Sequence, residues 1–176
     1  MKKDTYSESG YKVYGQEQVI RGDIALGDYY IPLSKFAEMQ VFEIQEGDVL
    51  LSLVGTIGKV LVVPAEFEKG IINPRLLRLR PNEETVLSSF FKFMLLIDTS
   101  LRQINGLSGG GTMPVINGGV IKRILTPIIG LPEQKQIMGF LAQIEKKSDQ
   151  LVVELTKLRQ QKQGLMQDLL TGKVRV

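Results

Sequence analysis

The sequence predicts an α+β protein in which a domain built on a mixed β-sheet, residues 1–130, is followed by a long C-terminal coiled-coil helix within residues 131–176. Two observations predict this division. The first 130 residues contain many Gly, Pro and β-branched residues and only short apolar runs, as expected for strands of a half-buried sheet. From Pro132 to Leu170, apolar residues instead recur at helical spacing. A chain of 176 residues suits one ordinary domain with such an extension.

Short segments of the first part are expected to be strands, because β-branched and aromatic residues predominate in them and turn residues separate them. They are residues 12–14, 29–31, 41–44, 48–54, 59–63 and 76–80. The Gly-containing segment 55–58 predicts a hairpin or a bend between two of these strands. Residues 124–129 are expected to add a last strand.

Helical spacing begins after Asn82, which is a favourable N-cap residue. This spacing predicts a helix that covers the sheet and ends near residues 105–106. Its apolar face consists of Leu87, Phe90, Phe91, Met94, Leu95 and Leu101. A Gly-rich loop, residues 108–112, comes next, and Asn117 is expected to cap a short turn through Val120.

The C-terminal helix carries an apolar seam, whose ten positions alternate steps of four and three residues. Eight of the ten are apolar over five heptads, a pattern typical of coiled coils. The positions are Ile137, Leu141, Ile144, Ser148, Leu151, Leu155, Leu158, Lys162, Leu165 and Leu169. Burying eight such side chains would contribute roughly 12–24 kcal/mol before the entropy of ordering is subtracted. The seam therefore predicts a partner helix, and the alternative is a helix folded back on its own domain.

Lys162 indicates the direction of a partner that is a second copy of the chain. In a parallel pair, two Lys162 ammonium groups would share one layer and repel each other. In an antiparallel pair centred between Leu151 and Leu155, Lys162 lies opposite Ile144 of the second copy. There its aliphatic stem packs and its ammonium reaches water. The antiparallel arrangement is therefore favoured.

Composition argues against catalysis and metal binding. The chain has no His and no Cys, which removes His-containing triads, the commonest zinc ligands and thiolate nucleophiles. No catalytic or metal-binding residue is expected. The apolar runs are far shorter than the about 20 residues of a membrane span, and the N-terminus lacks the apolar core of a signal peptide. A cytoplasmic protein without a membrane partner is expected.

The segment from Gly55 to Lys59 has only part of a phosphate-loop pattern. A P-loop requires Gly five residues before its second Gly and Ser or Thr after its Lys, and these positions hold Leu53 and Val60. Nucleotide binding is therefore rejected, and a tight turn is the ordinary interpretation. Thr56 and Lys59 could still contact a nucleic-acid phosphate.

Other candidate nucleic-acid contacts are polar side chains or backbone amides at strand ends and in loops. Gln and Arg read base edges through paired hydrogen bonds, and Ser, Thr and backbone amides contact phosphates. Each candidate also has an ordinary interpretation as part of a solvated or flexible loop. The candidates are Tyr14, Gln16, Arg21, Asn73, Arg75, Ser108, Gly110 and Thr112. Arg78 and Arg80 share one strand face and are assigned to solvent.

Several segments, in this order and spacing, together resemble the DNA-specificity subunits of type I restriction–modification systems. SGYKVYGQ (residues 9–16) stands near the start. GDVLLSLVGTIGKV (47–60), VVP (62–64), INP (72–74) and LRLRP (77–81) follow. GGTMPVIN (110–117) and IKRI (121–124) precede LPEQKQI (131–137) and LMQDLLTGKVRV (165–176). The last run is the strongest part of the match.

The resemblance implies a non-catalytic subunit, with a target-recognition domain for double-stranded DNA and a spacer helix. Family members usually carry two such units, whose antiparallel spacers hold two domains apart on DNA and dock methyltransferase subunits. The complex adds a restriction subunit and uses S-adenosylmethionine, ATP and Mg, none of which is expected to bind this chain. One domain and one helix imply a half-length form that begins within an early part of the domain.

Two functions are compatible with the resemblance. In the first, two copies pair through residues 137–169 in antiparallel fashion and read a bipartite palindromic site, since target symmetry mirrors protein symmetry. In the second, the chain is an adaptor or inhibitor. It would then bind methyltransferase or a full-length specificity subunit through its helix without reading DNA itself.

Overall fold

The structure, a computed structural model, describes residues 5–53, 59–108 and 116–175. The chain divides into two compact units, Met1–Gln134 and Lys135–Val176. The predicted bend at residues 55–58 and most of the predicted Gly-rich loop lie outside the described residues.

Short strands and helices make up the described part of the first unit. Its strands are β1 Tyr11–Tyr14, β2 Tyr30–Ile31, β3 Val49–Ser52, β4 Val60–Val62, β5 Gly70–Ile72 and β6 Leu76–Leu79. Its helices are α1 Gln16–Arg21, α2 Leu33–Glu38, α3 Ser88–Leu96, α4 Asp98–Leu107 and α5 Gly118–Ile121, with a 3-10 turn at Gln40–Phe42. The last helix, α6 Leu131–Leu170, begins in the first unit and forms most of the second.

The strands form two three-stranded sheets. In one, β1 lies between β2 and β5, antiparallel to β2 and parallel to β5. In the other, β3 lies between β4 and β6 and is antiparallel to both. The predicted α+β class, with mixed strand directions and a long C-terminal helix, is confirmed.

Helices α3, α4 and α5 cover one face of the sheet that contains β3. Val49 and Leu51 are two residues apart in β3, so their side chains point to the same face. They belong to one buried cluster with Leu95 of α3, Ile104 of α4 and Val120 of α5. This cluster is the core that the apolar face of residues 87–101 predicted.

A second buried cluster joins the two sheets. Leu50, whose side chain lies on the opposite face of β3, packs in it with Tyr14 of β1, Val19 of α1 and Ile72 of β5. All four residues of β3 are buried, because both of its faces are covered. The ends of β1 and β5 are thereby fixed against the central strand of the other sheet.

The helix predicted after Asn82 begins later than expected and is divided. Its first part starts at Ser88, and Ile97 is extended between α3 and α4, with φ −69° and ψ 149°. Asn82 closes a turn instead, because its side-chain oxygen accepts the backbone N–H two residues later at 3.0 Å. The Leu87 N–H at the start of α3 donates to the buried Gln134 side chain at 2.9 Å. A residue remote in sequence therefore satisfies this end of the helix.

Two predicted strands are wrong. The first two residues of segment 41–44 belong to the 3-10 turn Gln40–Phe42, and Glu43 makes an isolated antiparallel bridge to Ile71. Residues 124–129 form no strand, since the N–H and C=O of Leu125 bond to the Gln103 side chain at 2.8 and 2.9 Å. In residues 124–129, local β propensity was overridden by hydrogen bonds to a glutamine side chain. Conversely, α1, α2 and β5 were not predicted.

Most of α6 belongs to the second unit, and its large apolar side chains are predominantly exposed. The helix predicted from Pro132 to Leu170 is confirmed and begins one residue earlier, at Leu131. Asn117 accepts the Val120 N–H at 3.1 Å, which confirms the predicted cap of α5. Among the described residues, no helix is long and apolar enough to cross a membrane.

Candidate nucleic-acid interface

A pocket of about 490 Å³ lies where the parallel strands β1 and β5 end. The carboxyl ends of parallel neighbours meet at one edge of a sheet, so the residues that follow them come together. The Asn73 N–H donates to the Tyr14 C=O at 2.8 Å and extends the pairing past both strands. Three predicted contact residues, Gln16, Asn73 and Arg75, line this pocket. The other lining residues are Tyr6, Val13, Gly15, Glu17, Gln18, Tyr29 and Pro74.

The first turn of α1 forms one side of the pocket. Gln18 is buried, and its Oε1 accepts the Gly15 N–H at 2.9 Å while its Nε2 donates to the Leu26 C=O at 2.7 Å. Gln16 Nε2 donates to Ser52 Oγ at the end of β3 at 2.7 Å. Both amides are thus held in place by neighbouring segments, which gives this side of the pocket a defined hydrogen-bonding surface.

The turn between β5 and β6 forms another side. Asn73 Oδ1 accepts the Arg75 N–H at 2.9 Å, as in an Asx turn, and the Arg75 C=O accepts the Leu53 N–H at 3.0 Å. The backbone of Arg75 is therefore fixed, while its side chain is exposed. A Cβ on Gly15 would lie only 2.7 Å from Asn73 Nδ2, so a side chain at position 15 would displace the Asn73 amide.

Tyr14 is a structural residue, and its predicted nucleic-acid contact is wrong. Its side chain is fully buried, and its hydroxyl donates to the Glu68 C=O at 2.5 Å. Burial, aided by the charge of Glu68, raises the pKa of the Tyr14 hydroxyl. The neighbouring Lys12 is also buried and donates to the Ala25 C=O and the Glu68 carboxylate at 2.8 and 2.7 Å. A side chain without exposed surface cannot reach DNA.

Other predicted contact residues are not in the pocket lining. Arg21 is exposed and lies 3.9 Å from the Glu17 carboxylate on the same helix. Lys59 is exposed beside β4. The Ser108 hydroxyl donates its hydrogen to the Ile104 C=O at 2.6 Å, in the last turn of α4. Outside the described residues lie Thr56, Gly110 and Thr112.

Arg78 and Arg80 both have partners within the domain; Arg78 is half-buried, which corrects its assignment to solvent, whereas Arg80 is exposed as expected. Arg78 donates to the Glu43 C=O. Arg80 makes two hydrogen bonds of 2.7 Å to the buried Asp48 carboxylate, and these bonds raise the pKa of Arg80. Among the described residues, no group of three or more acidic side chains is arranged to hold a metal ion.

Residues 2–158 match the protein family described as the type I restriction modification DNA specificity domain. The chain belongs to this family. Two solved structures share the fold of this specificity domain. The HsdS subunit from Thermoanaerobacter tengcongensis has a TM-score of 0.58 and 20% identity, over 70% of this chain and 32% of that one. A chain from a structure of complex assembly and conformational transition of the type I R-M system has a TM-score of 0.68 and 17% identity. This match covers 96% of this chain and 40% of that one.

The chain therefore spans about 32% and 40% of the length of these two solved chains. At such low sequence identities, the two likenesses establish the fold. The role of each pocket residue rests on the geometry of this chain.

Sequence reasoning missed Tyr6 and Tyr29 as pocket residues of the specificity domain. Their ring centroids are 5.4 Å apart with a tilt of 59°, and Tyr29 is 62% exposed. Tyr29 was assigned to the predicted strand 29–31, and Tyr6 lies before the first predicted strand. Their proximity depends on the fold, so no local sequence pattern indicated the pair.

The seam of α6 is the second candidate surface. The side chain of Ile144 is 66% exposed, and the leucines further along the seam are also exposed. Ile137 and Leu141 are partly exposed. The exposed seam leucines are Leu151, Leu155, Leu158, Leu165 and Leu169. An apolar stripe of this length without a covering element indicates a binding surface.

Proposed function

We propose that this chain is a non-catalytic DNA-recognition subunit of a type I restriction–modification complex, which acts as an antiparallel homodimer. The observation that carries the proposal is the uncovered apolar seam of α6 in a chain that belongs to the specificity-domain family. The pocket at the ends of β1 and β5, with Gln16, Asn73 and Arg75, supplies a surface for DNA.

The antiparallel pair is supported by the layers that it creates. With its centre between Leu151 and Leu155, Leu151 of each copy meets Leu155 of the other, and Ile137 meets Leu169. Lys162 packs against Ile144 of the second copy instead of against another Lys162. Dimerisation predicts a solution mass of about 39 kDa, twice the 19.7 kDa of one chain.

Single cysteines test the direction, because the chain has none of its own. In an antiparallel pair, Leu151→Cys alone and Leu155→Cys alone place their thiols in different layers and remain uncrosslinked, whereas a mixture of the two variants forms a disulfide. In a parallel pair, each variant crosslinks with itself, and the mixture forms no disulfide between different variants. The second result would contradict the proposed direction.

A two-fold symmetric dimer presents two identical domains and therefore reads a bipartite palindromic site. Sequencing of methylated positions in cells that contain this chain and its methyltransferase measures the target directly. A methylated motif with two inverted identical halves supports the homodimer. A motif with unrelated halves would show that the chain works with a different specificity subunit.

The width of the apolar stripe supports docking of methyltransferase on the paired helices. Met138, Val152 and Met166 each follow a seam residue by one position and widen the stripe beyond a two-helix seam. Val152 and Met166 are exposed, and Met138 is partly exposed. We assign S-adenosylmethionine, ATP and Mg to the methyltransferase and restriction subunits, and no cofactor to this chain.

The alternative function is an adaptor or inhibitor that uses only α6. It is favoured by the extent of uncovered apolar surface on that helix. DNA affinity of the chain with its methyltransferase, measured over a range of salt concentrations, separates the two functions. Sequence-specific binding that weakens as salt rises indicates recognition. Tight association with methyltransferase and no specific DNA binding indicates the adaptor.

A further inference from the structure

The pocket at the carboxyl ends of β1 and β5 has the features of a site for a planar ring. One side carries the Tyr6–Tyr29 pair, and the exposed Tyr29 offers a surface on which an aromatic ring can stack. Gln16 and Gln18 are held by hydrogen bonds to β3 and to Leu26. The amide side of the site is therefore held in place by several segments.

Two polar groups in the lining are suited to the edge of such a ring. Asn73 Nδ2 has no hydrogen-bond partner among the described residues and is a donor, while the Glu17 carboxylate is an acceptor. Carboxylates accept hydrogen bonds from exocyclic amino groups of bases. The negative charge of Glu17 disfavours a phosphate inside the pocket, although Arg21 lies 3.9 Å away from it. Arg75 can hold a phosphate of the same nucleotide.

We propose that this pocket receives one unstacked base of the DNA target, with Tyr29 stacking on the ring and Asn73 and Glu17 reading its edge. This inference rests on the proposed function. A base that remains paired in a duplex cannot enter a concave pocket lined on several sides, whereas a base rotated out of the stack can. The Glu17 carboxylate selects a base with an exocyclic amino group, namely adenine, cytosine or guanine rather than thymine.

Mismatched DNA tests this inference in the complex of the chain with its methyltransferase. A mismatch removes the cost of unpairing, so a protein that extrudes a base binds it more tightly there. We expect affinity to rise roughly tenfold or more for a mismatch at one position per half-site, apart from the methylated position. Elsewhere in the target, mismatches should weaken binding. If no position outside the methylated one gains affinity, the inference is overturned, although sequence-specific binding and the proposed function still stand.

Two matched variants test whether the gain in affinity at a mismatch depends on the pocket. Tyr29→Ala should lower affinity for the target by about 5- to 150-fold, the loss expected for one stacked base, and should abolish the gain from the mismatch. Leu33→Ala, at an exposed apolar residue outside the lining, is the control and should change neither quantity. If a mismatch raises the DNA affinity of Tyr29→Ala by the same factor as that of the unsubstituted chain, the pocket does not receive the extruded base.

Binding of free nucleotides to the purified chain tests the inference even if the complex does not bind DNA specifically. Saturation-transfer NMR of the purified chain with dAMP, dCMP, dGMP and dTMP should give signals for the first three that Tyr29→Ala abolishes. Glu17→Gln, which keeps the side-chain shape, should reduce the preference over dTMP. Absence of binding by all four nucleotides, or equal signals in Tyr29→Ala, would overturn the inference.

Discussion

In the unit Met1–Gln134, apolar side chains are collected into three buried clusters, whereas in Lys135–Val176 the apolar side chains of α6 stay exposed. The first unit also satisfies its buried polar groups. Asp48, for example, accepts two hydrogen bonds from Arg80 and one from the Gln45 N–H. The first unit therefore contains the partners for its own core, whereas the apolar side chains of α6 stay exposed among the described residues, as the proposed pairing with a second helix requires.

The same contrast separates the two candidate surfaces by chemistry. The pocket of the first unit combines amides, an arginine and tyrosines, which suit bases and phosphates. The seam of α6 offers branched apolar side chains in heptad register, which suit another helix. The proposed function therefore places DNA recognition and assembly in different units, and under this proposal substitutions should affect them separately.

The largest effect is expected from Leu151→Ala combined with Leu155→Ala at the centre of the seam. In the proposed dimer this removes four buried leucines at about 2–5 kcal/mol each, so roughly 8–20 kcal/mol of association free energy is lost. Light scattering should then report a mass near the 19.7 kDa monomer instead of about 39 kDa.

Thermal unfolding of the first unit serves as the control for this double variant. Because its clusters contain no residue of the seam, its unfolding temperature should not change. A double variant that keeps the mass of a dimer would show that the seam is not the interface.

A smaller effect is expected within the first unit when Asp48→Ala removes the buried partner of Arg80. The Gln45 N–H loses its acceptor, and the Arg80 guanidinium loses two charged hydrogen bonds. Because Arg80 is partly exposed, water can hydrate its guanidinium in the variant. The free energy of unfolding by urea should therefore fall by about 2–4 kcal/mol. Glu66→Ala, at an exposed carboxylate, is the control and should stay within about 0.5 kcal/mol. Equal effects of the two substitutions would contradict the assigned role of Asp48.

Gly70→Ala tests the packing of the parallel strands. A Cβ at Gly70 would lie 2.1 Å from the Lys12 carbonyl oxygen in the neighbouring strand. Relief requires a backbone shift, and we expect a loss of about 1–3 kcal/mol in unfolding free energy. Gly106→Ala, which meets no atom within 4 Å, is the matched control. If Gly70→Ala is no more destabilising than Gly106→Ala in urea unfolding, β1 and β5 are not paired as described.

The sequence alone predicted the elements that a local pattern of apolar residues locates. The heptad pattern from Ile137 to Leu169 predicted α6 within one residue of its start, because every seam position lies on the same helix. Short apolar runs bounded by Gly and Pro likewise located β3 and β6. Elements set by remote partners were missed. The start of α3 depends on Gln134, 47 residues away, and residues 124–129 are held by a glutamine side chain.

The candidate site was only partly predictable for the same reason. Gln16, Asn73 and Arg75 were selected as polar residues near strand ends, and the structure places all three in one pocket. Their proximity depends on the parallel pairing of β1 with β5, which no local pattern indicates. Tyr14 was selected by its residue type, but both faces of β1 are buried, so its side chain lies in the core.

The smallest effect, and one of opposite sign, is expected for Gly164→Ala in α6. A Cβ there meets no atom within 4 Å, and position 164 lies off the seam, so the substitution adds helix propensity without a clash. Unfolding of the helix should require about 0.5–1 kcal/mol more, measured by circular dichroism with Gly139→Ala as a second open site. The same Gly→Ala change therefore destabilises the first unit at Gly70 and stabilises the helix. If Gly164→Ala weakens the complex with methyltransferase while it stabilises the dimer, another helix packs against that face, and the docking surface extends beyond the stripe assigned to it.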